Sequence, residues 1–360
     1  YIRISFKNRK KPYRSSIYTI MSKEEQIIRV LITGAAGQVA YSLAGLIACG
    51  MAFGPKQPLI LNLLDLPEKT GAMEGLRMEL IDSACPLLRD VIATSDPVVA
   101  FQDISYAFLL GGERRRQIDM KRYDLIASNA RIFKDQGLCL DAFARKDCKV
   151  VVLTEPSNTM CYICAEYAPS IPRENFTANA RLDYNRAVGQ IASKLKVSTA
   201  NIRNMIIWGN HSDSMYPDCS VASVVINNKT QRVSEMLGEE MIYFRTQLCE
   251  SVVKRGAEII TARGLSSSWS AAKAVCDQMR DWITGTPQGI MVPMTVVSDG
   301  SYGTPKEIFF TFPVEIQRGR WSIVRGIKMD EVCRSKIDFS GKELMQEKMA
   351  AVAEIGEGNV

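Results

Sequence analysis

Histidine is almost missing from this chain: one residue, His211, among 360. An imidazole is useful for acid–base chemistry near neutral pH because its unperturbed pKa is about 6.5, and here that chemistry has a single candidate. Taken alone, His211 reads equally well as a packed or solvated side chain. Long apolar runs are missing too. None approaches the roughly 20 residues that cross a bilayer, so no membrane partner is expected. A charge surplus is also absent from the body of the chain. The formal net charge is +6, and residues 1–20 carry six positive side chains and no acid. The remainder is near neutral and shows no basic footprint for nucleic acid.

Zinc-type cysteine spacing is lacking as well. Ten cysteines are scattered along the chain, and only Cys161 and Cys164 form a C-x-x-C. Without a second pair or a nearby histidine this is a weak zinc or redox signal. It reads better as one face of a buried helix, and no metal is expected. Dispersed free thiols suit a reducing compartment, so a cytoplasmic location is expected. A mitochondrial one is the alternative if residues 1–20 are a transit peptide. That basic extension, ahead of Met21, reads equally as upstream translated sequence or a cloning remnant. It is expected to be disordered and is set aside from the fold.

What is present is a regular alternation. Short apolar strands at residues 27–33, 59–65, 90–93, 106–111 and 149–154 alternate with helical patterns at 38–49, 68–84 and 122–146. Such alternation predicts βαβ units and a parallel sheet, hence the α/β class. The strands are continuously apolar, as strands covered on both faces are. From about residue 175 the texture changes. Helical patterns at 184–195, 239–262 and 268–282 mix with strands at 291–298, 308–316 and 321–324 that read as antiparallel, and a last helix covers 335–353. The chain is long enough for two lobes, with the boundary near residues 170–180.

The first strand runs into Gly34-Ala-Ala-Gly37-Gln38-Val39-Ala40. This is G-x-x-G-x-x-A between a strand and a helix, a variant of the dinucleotide fingerprint. The first glycine allows the tight turn, the second lets backbone approach a pyrophosphate at the positive helix N-terminus, and the small third residue lets helix and strand pack closely. The second strand ends in Asp65, whose carboxylate can accept from both ribose hydroxyls and would repel a 2′-phosphate. Together these predict a Rossmann-type doubly wound domain over residues 21–175 that binds NAD, followed by an α+β substrate-binding and catalytic domain over 176–360. The cofactor-binding candidates are Gly34, Gly37, Gln38, Val39 and Asp65, with Gly111 at a later strand end and Asn129 and Gln136 on the helix that follows.

Three strings carry the chemistry: Arg181-Leu182-Asp183-Tyr184-Asn185-Arg186, Gly209-Asn210-His211-Ser212 and Met120-Lys121-Arg122-Tyr123-Asp124-Leu125. With the Gly34-Ala-Ala-Gly-Gln-Val-Ala opening, they resemble the malate dehydrogenases, most of all the cytosolic type, and the similarity runs from Ile28 to at least Glu347. The resemblance implies a two-lobed NAD enzyme, commonly a homodimer, acting on a small dicarboxylic acid. It implies His211 as proton donor and acceptor, Asp183 as its orienting partner and Arg186 as the group that binds the carboxylate next to the reacting carbon. Arg122 would polarise the carbonyl, and an arginine on a mobile loop would bind the distal carboxylate. The chemistry agrees: hydride transfer to a ketone leaves an alkoxide that needs a proton, and a buried Asp both orients an imidazole and stabilises its charged form. Asp183 and Arg186 are spaced i, i+3 and so share a helix face.

The chain departs from that family in places. The loop Gly111-Gly-Glu-Arg114-Arg115-Arg116-Gln-Ile-Asp-Met120 is one residue longer than the family's and lacks its proline and glycine. Counting from its start selects Arg115, counting back from Arg122 selects Arg116; Arg115 is taken here, and three arginines in a row also read as a solvated basic lid. Glu155 replaces an asparagine that donates to the substrate oxygen. An ionised Glu cannot donate, so it is protonated, turned away or paired with one of Arg114–Arg116, and it is expected to lower or redirect activity. Trp269 stands for a smaller residue at the expected pocket wall, and Tyr184 for a histidine. The expected activity is reversible hydride transfer between malate and NAD. The alternatives are a 2-hydroxy acid dehydrogenase of altered preference and a degenerate NAD-binding homologue.

Overall fold

The computed structural model describes residues 26–113 and 122–356. The basic extension 1–20, and the loop carrying Arg114, Arg115 and Arg116, lie outside the described residues.

The first half alternates as its sequence predicts: β1 (Ile28–Thr33), α1 (Gln38–Ala48), β2 (Leu59–Leu64), α2 (Thr70–Asp82), β3 (Leu88–Thr94), α3 (Pro97–Phe101), β4 (Tyr106–Leu109), α4 (Arg122–Phe143), β5 (Lys149–Val152), α5 (Ser157–Glu166) and β6 (Phe176–Ala178). Next come α6 (Arg181–Leu195), five short strands β7 (Ile202–Arg203), β8 (Ile206–Trp208), β9 (Tyr216–Asp218), β10 (Ser223–Ile226) and β11 (Lys229–Arg232), and α7 (Val233–Leu237). The chain ends in α8 (Met241–Arg263), α9 (Trp269–Thr284), β12 (Val292–Val297), β13 (Phe309–Gln317), β14 (Arg320–Ile323) and α10 (Glu331–Gly356).

The main sheet has the order β14-β13-β12-β6-β5-β4-β1-β2-β3. Strands β1 to β6 are mutually parallel, which is the doubly wound arrangement with its order reversal between β1 and β4. Strands β12, β13 and β14 extend it antiparallel, joined at Thr295 opposite Ala178. The sheet therefore runs on past the expected boundary at residue 175, because β6 follows that residue and still pairs with β5. Period-2 alternation divides the core. Val30, Ile32, Phe108 and Val151 pack on one face, and Leu31, Ala107, Leu109, Val150 and Val152 on the other. Helix α1 presents Ala40, Leu43, Ala44 and Ile47 to the sheet at helical spacing. Cys161 and Cys164 lie fully buried on α5, and burial raises both thiols above their ordinary range.

The strands between α6 and α7 are not foreseen from apolar pattern. Lys229–Arg232 is exposed along its whole length, so periodicity carries nothing. The readable signal is the turn: Asn227 and Asn228 both adopt positive φ, 51° and 61°, which suits a two-residue hairpin and favours asparagine.

Candidate active site

The site forms where the parallel strands end. Gly34 follows β1, Asp65 follows β2, Gly111 follows β4 and Glu155 follows β5, so all four lie at carboxyl ends of neighbouring strands, the crevice in which doubly wound sheets bind ligands.

Gly34 has φ +66°, and a Cβ there would lie 2.8 Å from the Cα and N of Gly111. The turn and the end of β4 thus touch through backbone alone. Gly37 caps α1 with an extended backbone and no side-chain hydrogen bond, which leaves the first amides of α1, including those of Gln38 and Val39, without a side-chain cap. The Asp65 carboxylate accepts from Ala36 N at 2.9 Å and Leu66 N at 2.8 Å. One acidic side chain therefore holds the glycine turn and keeps further lone pairs for hydroxyl donors. An all-backbone cradle, an uncapped helix start and a carboxylate one strand away fit a dinucleotide.

Asn129 and Gln136, expected on the cofactor side, bond to the main chain and to the Thr33 hydroxyl. Asn129 accepts from Glu113 N at 2.7 Å and donates to the carbonyls of Glu113 and Glu155 at 3.1 and 2.8 Å. Gln136 accepts from Thr33 Oγ1 at 3.1 Å and donates to Gly111 O at 3.4 Å. These two residues reach the cradle through backbone, as buttresses. Both ends of the Asn129 amide are paired within the chain.

The imidazole is set by three elements. Gly209 ends β8 with φ +100°, and a Cβ there would fall 2.3 Å from Ser340 Oγ on α10. Its backbone bridges to Thr311 on β13, Asn210 N donates to Ser340 Oγ at 2.8 Å, and His211 N donates to Asn158 Oδ1 at 3.1 Å. The ring then meets Asp183, which is 1% exposed on the first turn of α6, with Nδ1 to Oδ2 at 2.5 Å. Arg186, one turn on, lies 3.4 Å from Asp183 Oδ1. The i, i+3 spacing thus sets a guanidinium and the orienting carboxylate side by side.

Glu155 is neither protonated nor turned away, and the expected pairing with Arg114–Arg116 lies outside the described residues. Its Oε1 lies 3.2 Å from His211 Nε2, and its Oε2 is 3.6 Å from Arg122 Nη1. It is thus turned into the site. Burial acts against its ionisation, but the neighbouring His211 and Arg122 outweigh this and hold its carboxyl below the ordinary range, so it is not protonated. For His211 the balance runs the other way. Burial opposes the charged ring, but the charges of Asp183 and Glu155 and their hydrogen bonds prevail, and its pKa is pushed up to about 10.

Arg122, the first residue of α4, is held by α10. Its Nε donates to Glu347 Oε1 at 2.5 Å and its Nη2 to Asn210 Oδ1 at 3.3 Å. Glu347 is 2% exposed and also accepts from Thr159 Oγ1 and, at 3.0 Å, from Asn210 Nδ2. Glu343 gathers Ser212, Ser214 and Asn210 within 2.9 Å. Asn158, Glu343 and Glu347 are missed by motif reasoning; the available signal is two acids spaced i, i+4 on one helix face. Trp269, expected at the pocket wall, is 61% exposed at the start of α9.

Residues 28–177 match the lactate/malate dehydrogenase NAD binding domain, and residues 180–355 the lactate/malate dehydrogenase alpha/beta C-terminal domain. The chain belongs to the lactate/malate dehydrogenase family. It is 48% identical to the cytoplasmic malate dehydrogenase of Homo sapiens over 325 residues, covering 90% of this chain and 97% of that one. It is 45% identical to the cytoplasmic enzyme of Zea mays over 331 residues, 92% of this chain and 98% of that one. Among solved structures of the family, malate dehydrogenase from Naegleria fowleri superposes with a TM-score of 0.85 at 37% identity, covering 91% and 99% of the two chains. Trichomonas vaginalis lactate dehydrogenase in complex with NADH and oxamate superposes with a TM-score of 0.86 at 36% identity, covering 92% and 99%. Family members with different substrate names share this fold equally well, so the side chains of the site discriminate where the architecture does not. With the NAD binding domain matched and the cradle fitting, NAD is the cofactor.

Proposed function

We propose that the protein is an NAD-dependent malate dehydrogenase, interconverting malate and oxaloacetate. The observation that carries this reading is one half-buried imidazole bonded to Asp183, with Arg186 beside Asp183 and Arg122 beside Glu155. Bound NAD supplies or takes the hydride. His211 gives the balancing proton from Nε2 to the substrate oxygen, or takes it back in the reverse direction. Asp183 keeps Nδ1 protonated and the ring aligned. Arg186 forks onto the carboxylate beside the reacting carbon, as a planar guanidinium does. Arg122, fixed by Glu347 and Asn210, directs positive charge at the same oxygen. Arg115 is assigned to the distal carboxylate. Because Glu155 now lies against Nε2, the substrate oxygen has to displace it.

The Glu155 contact also favours a second reading, a 2-hydroxy acid dehydrogenase of altered preference, since this anion repels a dicarboxylate at close range. NADH oxidation across a panel of 2-oxo acids separates the two, on protein whose mass in solution is measured alongside, a homodimer being what the resemblance implies. Oxaloacetate is expected to turn over fastest. A faster monocarboxylate or aromatic acid would replace the malate reading. NAD binding with no turnover on any acid would make this a binding protein. The intact set of His211, Asp183, Arg122 and Arg186 speaks against that last outcome. A cytoplasmic setting accompanies the malate reading, as in the names of the relatives.

Asp65 carries the cofactor choice. Replacing it by serine removes the repulsion toward a 2′-phosphate and loosens the turn held through Ala36. The ratio of kcat/KM with NADH to that with NADPH is expected to fall by about tenfold or more, the equivalent of roughly 1.4 kcal/mol of lost discrimination. An unchanged ratio would remove Asp65 from that role.

A further inference from the structure

His211 sits between two carboxylates. Asp183 Oδ2 takes Nδ1 at 2.5 Å and Glu155 Oε1 takes Nε2 at 3.2 Å, so both ring nitrogens face acceptors. A neutral imidazole has one N–H, and only the imidazolium can donate to both sides. The family's asparagine, according to the resemblance above, can turn an amide N–H toward the site and so tolerate a neutral ring. Glu155 offers only acceptor oxygens once ionised.

We propose that Glu155 is a second carboxylate partner of the proton-transferring imidazole, holding His211 as the imidazolium in the free protein and confining oxidation of the hydroxy acid to alkaline pH. This rests on the dehydrogenase reading above for its kinetic consequence. The protonation itself is a property of this chain's side chains.

The charged groups around the ring among the described residues fit that balance. Helix α6 brings Asp183 and Arg186, and Arg186 answers Asp183 Oδ1 at 3.4 Å. Helix α4 brings Arg122, 3.6 Å from Glu155 Oε2, but most of its hydrogen bonding goes to Glu347 and Asn210. Helix α10 brings Glu343 and Glu347, both turned to Asn210. From α8, Arg255 acts on Arg186. Among the described residues Glu155 Oε2 has no side-chain hydrogen bond; Arg122 and the Ser157 main chain share in stabilising its charge, and the His211 ring comes first among the groups that do so. An opposite charge within about 4–6 Å commonly moves a pKa by 1–3 units, and Glu155 is inside that range.

The kinetic consequence follows from proton balance. In reduction the substrate carbon receives hydride and its oxygen receives the Nε2 proton, so a protonated ring is the competent form. In oxidation the hydroxyl proton passes to a neutral ring. Each pH unit by which the ring pKa exceeds the working pH lowers the neutral fraction about tenfold. The device therefore leaves the reductive direction fully armed near neutral pH and holds back the oxidative one.

The single histidine in the sequence makes the test direct. Protein labelled with carbon-13 and nitrogen-15 histidine, and purified without a polyhistidine tag, gives one imidazole signal to follow through pH. The wild-type ring is expected to remain imidazolium through pH 8. In Glu155→Gln it is expected to titrate at least one pH unit lower, and hydroxy-acid oxidation at pH 7 is expected to rise about tenfold. A wild-type ring that titrates near the ordinary 6.5, or a variant that titrates with the wild type, overturns the proposal. If Glu155→Gln does not fold, Glu155→Asn serves in its place, and the wild-type titration alone can still refute it. A high titration point with no turnover on any oxo acid keeps the carboxylate pair and removes the dehydrogenase reading. Normal turnover with an ordinary titration point does the reverse.

Discussion

Replacing His211 by asparagine is expected to lower kcat for oxaloacetate reduction by about 10²–10⁴-fold, the usual range for losing a general acid. NADH binding should stay within a few-fold of wild type. Asparagine keeps a polar group near the substrate oxygen but has no proton to transfer at neutral pH. No other imidazole exists in the chain to take over, so residual turnover must draw on water or on Glu155. The fold should survive. The main-chain amide of residue 211 still donates to Asn158, and Asp183 keeps its neighbour Arg186. Steady-state turnover beside a fluorescence titration of NADH tests this. A kcat within tenfold of wild type would show that the proton comes from elsewhere.

Arg186→Gln is expected to cost kcat/KM about 10²–10³-fold, in the range found when one member of a buried charged hydrogen bond is truncated. The loss should appear with every 2-oxo acid in the panel, because all of them carry the carboxylate beside the reacting carbon. Part of it should fall on kcat as well. Arg186 also balances Asp183, and an Asp183 without that neighbour interacts more strongly with the ring. This differs from the arginine assigned to the distal carboxylate, whose loss should penalise dicarboxylates only. An Arg186→Gln enzyme that loses activity on oxaloacetate alone would exchange those two assignments. Selectivity across the panel is therefore the readout, more than the size of any one loss.

Much of the site was readable because its parts are local. The glycine turn, Asp65, and the Asp183–Arg186 pair each lie within one strand end or one helical turn, where spacing alone dictates which atoms meet. Asn129 and Gln136 were placed on the correct helix, α4, but their partners within the chain were not foreseen: their amides bond to the Thr33 hydroxyl and to main-chain atoms of residues 111, 113 and 155, which no helical spacing can foretell. Glu155 was readable as an anomaly and not as a geometry. Of the three expected outcomes, neutral and turned away do not match its contacts with His211 and Arg122, and pairing with the arginine loop falls outside the described residues. Glu343 and Glu347 lie more than 120 residues from the groups they bind after β8 and on α4, and nothing near them in sequence indicates a partner.

The sequence by itself determined the class of sheet, the glycine turn of the cradle and the single imidazole available for proton transfer, because apolar period, glycine placement and a lone histidine are properties of short segments. Only the tertiary structure decided what surrounds that histidine. Helix α10 folds back to fix Asn210 and Arg122, and the end of β5 sets Glu155 against Nε2. Whether a carboxylate is protonated, and which charge it answers, depends on distances of a few ångströms between segments far apart in the chain, and those distances exist only once the sheet and its helices have packed.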